Sequence, residues 1–319
     1  MVGSSPACRR QGQDCKCVTP WTGSNAARDP LQPRKWETEV VHFHGRFVWY
    51  ELITTDIEAA KAFYTNVVGW DARDASMPDM AYNLFTVGEA SVSGLTNLRE
   101  EARGMGAKPC WIGYVGVDDL DAAVDRVNRL GGAVHVPPTD VLNVGRFSIV
   151  ADPQMATLAL LERLQPGQEP HVEQDTLGRV GWHELLAADR EKALAFYGEL
   201  FGWQKAEANV GALGTYQRFS AGGQTIGGMA TKPPKVPVPF WLYYFNIGDI
   251  DAAVKRVRVG GGQILNGPVD VPDGSWIVHC TDAQGAIFAL VGKREYKAMV
   301  FFEAGGSRDA FDWRKRSAE

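Results

Sequence analysis

The chain has 319 residues, 45% of them hydrophobic, with 33 basic against 38 acidic side chains and a formal charge of −5. That length accommodates two ordinary domains, each able to bury its own core, and the composition is that of a globular protein. A charge so mild, with no basic field, excludes nucleic acid and anionic membrane as expected partners, and no apolar run approaches the roughly 20 residues of a bilayer crossing.

Residues 1–44 are rich in Gly, Ser, Pro and charge without an apolar period, and are expected to be a disordered leader. Met1–Pro20 carries Arg9 and Arg10 and no continuous apolar core, so it does not read as a secretory signal and a soluble, cytoplasmic protein is expected. Five cysteines do not make a disulfide framework. Cys8, Cys15 and Cys17 with His42 and His44 could be drawn as a zinc site, but the spacing departs from paired CxxC and HxxxH signatures and a solvated tail is the simpler reading. Cys110 and Cys280 fall inside apolar strand patterns and read as buried thiols.

From Gly45 the periodicity alternates between strand and helix. Phe47–Thr54 is a β-branched and aromatic run; Asp56 then caps a segment in which Ala59, Ala60, Phe63, Tyr64, Val67 and Val68 recur at helical spacing, and Gly69 ends it. Strands follow near Trp70–Arg73, Tyr82–Val87 and Ser91–Thr96. The pattern restarts with a strand at Trp111–Val117, a helix over Asp119–Leu130 ended by Gly131-Gly132, and strands near Ala133–Val136, Arg146–Ala151 and Thr157–Leu161. Residues 165–177 form a linker by composition.

At Gly178 the sequence begins again. GRVGWHELLAADREKALAFYGELFGW repeats GRFVWYELITTDIEAAKAFYTNVVGW from Gly45 at an offset of 133, and DDLDAAVDRVNRLGG from Asp118 has its match in GDIDAAVKRVRVGGG from Gly248. Residues 45–164 and 178–294 are therefore two copies of one α+β domain, each built of two βαβββ units, with 295–319 as a C-terminal tail.

These motifs resemble a known family. Paired βαβββ units, DxxxAxxFYxxxxGW after a first strand, and DPQM or DAQG before a last apolar strand are similar to the vicinal oxygen chelate superfamily, which includes glyoxalase I, extradiol dioxygenases and bleomycin-resistance proteins. The duplicated WYEL and WHEL openings look like a two-domain, glyoxalase-like subgroup. The resemblance implies two cup-shaped sheets, helices on the convex side and a small-molecule ligand in the concavity. It further implies that metal-dependent members carry His, Gln or Glu ligands on the first strand of each unit and an acidic ligand on a last strand.

Carried over by counting from each helix cap, those positions fall on Trp49 and Trp182, near Ile112 and Leu242, on Ala159 and Ala289, and near Gly94 and Gly228. Indole, alkyl and glycine cannot coordinate a divalent cation, so no metal site and no cofactor are expected. The informative polar groups are then Glu51 and Glu184, which strand alternation puts on the face of Trp49 and Trp182. Each is a candidate general base or substrate anchor; the alternative is a structural ion pair or hydrogen bond. His183 adjoins Glu184 but points to the opposite face, as does its counterpart Tyr50, and reads as packing.

Aromatic residues recur where the cup should be, so Trp49, Tyr82, Phe85, Trp111 and Tyr114 in the first copy and Trp182, Tyr216, Phe219, Trp241 and Tyr243 in the second are expected to line it. Arg146 is a candidate for an anionic ligand group, and Trp276, which replaces it in the second copy, is a candidate ligand contact there, so the two pockets need not share a ligand. Three readings stay open. One is a metal-independent small-molecule binder of the resistance or sequestration type; another is a lyase or isomerase using Glu51 or Glu184 as acid/base. A third makes one copy a scaffold for the other, and a metal-dependent glyoxalase or dioxygenase would replace all three if the register were shifted. The expected assembly is a monomer with pseudo-dimeric domains or a homodimer.

Overall fold

The computed structural model describes residues 43–76, 81–163, 174–211 and 214–294, which belong to one compact unit. Most of the leader, most of the linker and the tail, including Cys8, Cys15, Cys17 and His42, lie outside the described residues.

The first copy runs β1 (Phe47–Thr54), α1 (Ile57–Val68), β2 (Asp71–Asp74), β3 (Tyr82–Val87), β4 (Ala90–Asn97), α2 (Glu100–Gly104), β5 (Cys110–Gly116), α3 (Leu120–Arg129), β6 (Ala133–Val141), β7 (Gly145–Ala151) and β8 (Thr157–Arg163). The second runs β9 (Val180–Ala187), α4 (Arg190–Phe201), β10 (Gln204–Gly211), β11 (Gly214–Ala221), β12 (Gln224–Thr231), β13 (Phe240–Asp249), α5 (Ile250–Val259), β14 (Gln263–Asp270), β15 (Trp276–Thr281) and β16 (Ile287–Lys293). The long helices start where an Asp side chain accepts backbone N–H bonds: Asp56, Asp119, Asp189 and Asp249. Gly69 and Gly202 close α1 and α4 in the left-handed region, at φ 89° and 72°, which a residue with a Cβ adopts at a cost. The sequence pattern gave no sign of α2, which buries none of its residues.

Each copy forms one eight-stranded sheet, ordered β2-β3-β4-β1-β5-β8-β7-β6 and β10-β11-β12-β9-β13-β16-β15-β14. The βαβββ units of a copy meet where β1 pairs antiparallel with β5, and β9 with β13. Because β6 is a sheet edge, Pro137 and Pro138 can lie inside it, and it runs past the expected end at Val136.

The two copies do not keep separate helix-side cores. The helix-side faces of both sheets pack into one apolar cluster that includes Tyr64, Trp70, Phe85 and Trp111 from the first copy and Tyr197, Trp203, Phe219 and Trp241 from the second. Its polar contacts are reciprocal, as in an isologous dimer. Tyr64 Oη donates to Asp282 Oδ2 at 3.1 Å and Tyr197 Oη to Asp152 Oδ2 at 3.2 Å. Trp70 Nε1 donates to Gly178 O and Trp203 Nε1 to Gly45 O, both at 2.6 Å. On the same midline Tyr50 Oη lies 2.6 Å from His183 Nε2, and Gly113 N donates to Tyr243 Oη at 2.7 Å. The packing residue expected at His183 is thus part of the joint between the copies, stacked at 4.0 Å on Phe47.

Candidate functional site

Strand alternation sends the other half of each sheet's side chains to the face away from the helices. There Trp49, Ile112, Tyr114, Ala159, Phe147 and Ile149 form one apolar cluster, and Trp182, Leu242, Tyr244, Ala289 and Ile277 form its counterpart. The positions carried over as metal-ligand positions on the first and last strands do converge on this face. What they bring together is indole and alkyl, which do not fit a divalent cation, and among the described residues no group of three or more His, Cys, Asp and Glu side chains gathers elsewhere.

The glycines have a steric reason. A Cβ on Gly94 would stand 2.0 Å from Tyr82 Oη, and one on Gly228 2.2 Å from the Tyr216 ring. Each tyrosine lies over the adjacent strand in the space where a side chain would be.

Glu51 lies beside Gly94 on β4 and Ile112 on β5. Tyr82 Oη donates to its Oε2 at 3.0 Å and Tyr114 Oη to its Oε1 at 3.2 Å, while Trp49 Nε1 donates to Tyr82 Oη at 3.3 Å. Burial raises the Glu51 carboxyl above its ordinary range and the two tyrosine bonds partly restore it. The tyrosines are shifted up too, by burial first and the carboxylate second, so they remain hydroxyl donors. Cys110, half-buried on the same face, has its thiol pushed up to about 11 by burial and is unreactive at neutral pH.

The second cup keeps the four side-chain types, but its carboxyl accepts from one tyrosine rather than two, and a histidine and an arginine join it. Glu184 is buried and accepts a short hydrogen bond from Tyr244 Oη, and Trp182 Nε1 donates to Tyr216 Oη at 2.7 Å. Tyr244 Oη also lies 2.9 Å from His279 Nε2. Because the Tyr244 proton goes to Glu184, the imidazole donates, giving a chain from His279 through Tyr244 to Glu184. Burial raises Glu184 and lowers His279, so both are held toward their neutral forms. The Arg218 guanidinium lies over the Trp182 ring, 6.0 Å from its centroid. The corresponding side chains of the first copy are Ile149 and Leu84.

The structure brings Trp49, Glu51, Tyr82 and Tyr114 together, and likewise Trp182, Glu184 and Tyr216. It corrects seven expected site residues. Phe85 and Phe219 are in the helix-side core, because each is an odd number of residues along its strand from the tyrosine that faces the cup. Trp111, Trp241 and Tyr243 also point into that core, and Tyr244 is the partner of Tyr114's position, opposite Trp182 as Tyr114 is opposite Trp49. Arg146 turns to the helix side, where it binds Asp121 at 2.8 Å and Asp140 at 3.3 Å. Trp276 packs against the same side under Arg294, 3.6 Å from its ring centroid.

Sequence reasoning missed Tyr244, His279 and Arg218. Matching Trp111 to Trp241 sets an offset of 130 for the second unit and would have found Tyr244 from Tyr114. His279 and Arg218 have no equivalent in the other copy, so the repeat carries no signal for them.

The Glyoxalase/Bleomycin resistance protein/Dioxygenase superfamily model matches residues 46–160 and 177–290, and the chain belongs to that family. It is 33% identical over 249 residues to the protein described as "Putative glyoxylase CFP32" of Mycobacterium tuberculosis (strain CDC 1551 / Oshkosh), a match covering 76% of this chain and 93% of that one. It is 30% identical over 272 residues to the anthracycline biosynthesis protein DauV of Streptomyces sp. (strain C5), covering 79% and 94%. Among solved structures it is similar to the Mn(II)-bound glyoxalase from Novosphingobium aromaticivorans, with a TM-score of 0.54 at 16% identity over 78% of this chain and 82% of that one. The 2,3-dioxygenase LapB from Pseudomonas sp. KL28 gives a TM-score of 0.53 at 13% identity over 80% and 94%. These structural likenesses show the fold. Among the described residues no helix is long and apolar enough to cross a membrane.

Proposed function

We propose that the two cups bind small organic molecules without a divalent metal ion, with Glu51 and Glu184 as the polar anchors of otherwise apolar sites. The observation that carries this reading is the pair of carboxyls held on aromatic faces by tyrosine hydroxyls, at a place where the family's metal positions hold indole and alkyl groups. An apolar concavity with a few convergent polar groups is the usual form of a small-molecule pocket. The relatives' names, a glyoxylase and a protein of anthracycline biosynthesis, are consistent with organic ligands.

Glu51→Gln and Glu184→Gln test the reading, since they remove the charge while keeping the shape. Ligands retained through purification, read by native mass spectrometry and by quenching of Trp49 and Trp182 fluorescence, should bind more weakly in at least one variant. Unchanged binding in both would return the two residues to a structural role.

A second reading has its own support in the second copy. The chain from His279 through Tyr244 to Glu184 can deliver or accept a proton at a bound ligand. Burial raises the Glu184 carboxyl, the direction that suits a general acid or base of a lyase or isomerase.

A further inference from the structure

The two cups share four side-chain types at equivalent positions and differ at the place where a charge enters. Reading across the sheet of the second copy, Arg218 on β11 is opposite Gly228 on β12, Gly228 is opposite Glu184 on β9, and Glu184 is opposite Leu242 on β13. In the first copy the same row reads Leu84, Gly94, Glu51 and Ile112. Arg218 and Glu184 are therefore two strand spacings apart, about 10 Å between backbones, with the Tyr216 ring over the glycine between them.

Glu184 is engaged from the far side. Its hydrogen bond comes from Tyr244 on β13, whereas Arg218 stands two strands away on the opposite flank of β9. The Arg218 Nε is buried and has no hydrogen-bond partner among the described residues. A guanidinium held against an indole with a desolvated N–H that no protein group satisfies is a costly arrangement. A planar oxyanion in the cup would give the guanidinium an acceptor that the protein does not, because a carboxylate matches its fork.

We infer that the second cup, and not the first, is a carboxylate-binding site anchored by Arg218. The ligand class is a small carboxylic acid with an apolar or aromatic body. Its carboxylate meets Arg218, its body lies on Trp182 and Tyr216, and an oxygen at its far end reaches the Tyr244–His279 pair. Leu84 and Ile149 leave the first cup without these contacts. This assignment rests on the cups being ligand sites, and it names the chemistry that one of them selects.

The test uses the full chain and matched probes: benzoate, phenylacetate and 3-phenylpropionate, each against its uncharged carboxamide. Titration calorimetry and saturation-transfer NMR should show at least one acid binding roughly tenfold or more tightly than its amide, the scale of a charge-assisted hydrogen bond. Arg218→Leu, which installs the residue of the first copy, should abolish that preference while leaving amide binding in place. Arg218→Lys should retain part of it, so the assignment stays testable if the leucine variant fails to fold. Acids and amides of equal affinity in the unmodified chain, or a preference that survives Arg218→Leu, would overturn the carboxylate assignment alone. If amides and acids both fail to bind at millimolar concentration, the cups are not sites of this kind and the binding reading falls with it.

Discussion

Acidification should weaken the joint between the two copies through a single imidazole. His183 is buried, with Nδ1 2.6 Å from the Ile226 carbonyl and Nε2 2.6 Å from the Tyr50 hydroxyl. The carbonyl can only accept, so Nδ1 carries the proton, and Nε2 accepts from Tyr50. Neutral imidazole satisfies both partners; imidazolium would turn a second N–H onto a hydroxyl that is already donating. Burial pushes His183 down from the ordinary 6.5 to about 4. As the pH falls through 6.5 the unfolded imidazole takes a proton while the folded one does not, so stability complete above pH 6.5 is lost progressively as the pH approaches 4. The full displacement corresponds to roughly 3 kcal/mol, a large share of a typical domain's stability. The perturbation is His183→Asn, whose side-chain amide can still donate to Ile226 O but does not titrate. Urea unfolding of both proteins should be followed at intervals from pH 7.5 to pH 4. Other shifted groups, among them Asp152, Asp282, Glu51, Glu184 and His279, are common to both proteins and cancel in the difference. The advantage of the unmodified chain at neutral pH should shrink by roughly 3 kcal/mol over this interval. A difference that stays flat would refute the reasoning.

Four further outcomes are expected. Tyr64→Phe and Tyr197→Phe each leave a buried aspartate and an indole N–H short of a partner, and each should cost about 1–3 kcal/mol in chemical denaturation; equal stability would mean that water replaces the hydroxyl. Residues 45–163 expressed alone would bare the Trp70 and Trp111 side of the shared core, so sizing with light scattering should find aggregate or self-dimer; a folded monomer would contradict the single core. Glu184→Gln should weaken the ligand of the second cup by roughly tenfold with little change in melting temperature, checked by titration calorimetry. A chain beginning at Lys35, purified and analysed by inductively coupled plasma mass spectrometry, should hold no stoichiometric zinc, nickel, iron or manganese, and chelator should not lower its melting temperature; about one metal per copy would return the protein to metal-dependent chemistry.

Much of the fold was legible because it is written twice. Helix caps at Asp56 and Asp189, glycine ends at Gly69 and Gly202, and the FY pair inside each helix recur at one spacing, and each copy confirms the other. Strand parity correctly put Glu51 and Glu184 with the indoles and His183 with the helices. Residue type misleads where parity does not: Phe85, Phe219, Trp111, Trp241 and Tyr243 are as apolar as the cup residues, and an aromatic side chain suits either a buried core or an aromatic cup. Arg146 was misplaced for a related reason, since charge alone does not show that a partner, here Asp121, waits on the other side. The shared core was not legible. A face that buries against its own helices and one that buries against a second copy present the same apolar period.

The joint between the copies has a consequence for what a one-gene dimer of this fold could not be. On the midline, position meets equivalent position: Tyr50 faces His183, and Gly113 faces Tyr243. In a dimer of identical chains each of these would be a residue opposite itself. Two tyrosines at the second place would compete for one volume, for a Cβ on Gly113 would already stand 2.6 Å from the Tyr243 ring, and two glycines would leave a hole. Joining the copies in one polypeptide makes a knob and its socket possible at the same address, and a donor opposite an acceptor at another. The same release from self-matching lets Leu84 stand in one cup and Arg218 in the other, so the fusion gives one molecule two differently tuned cups on a single frame.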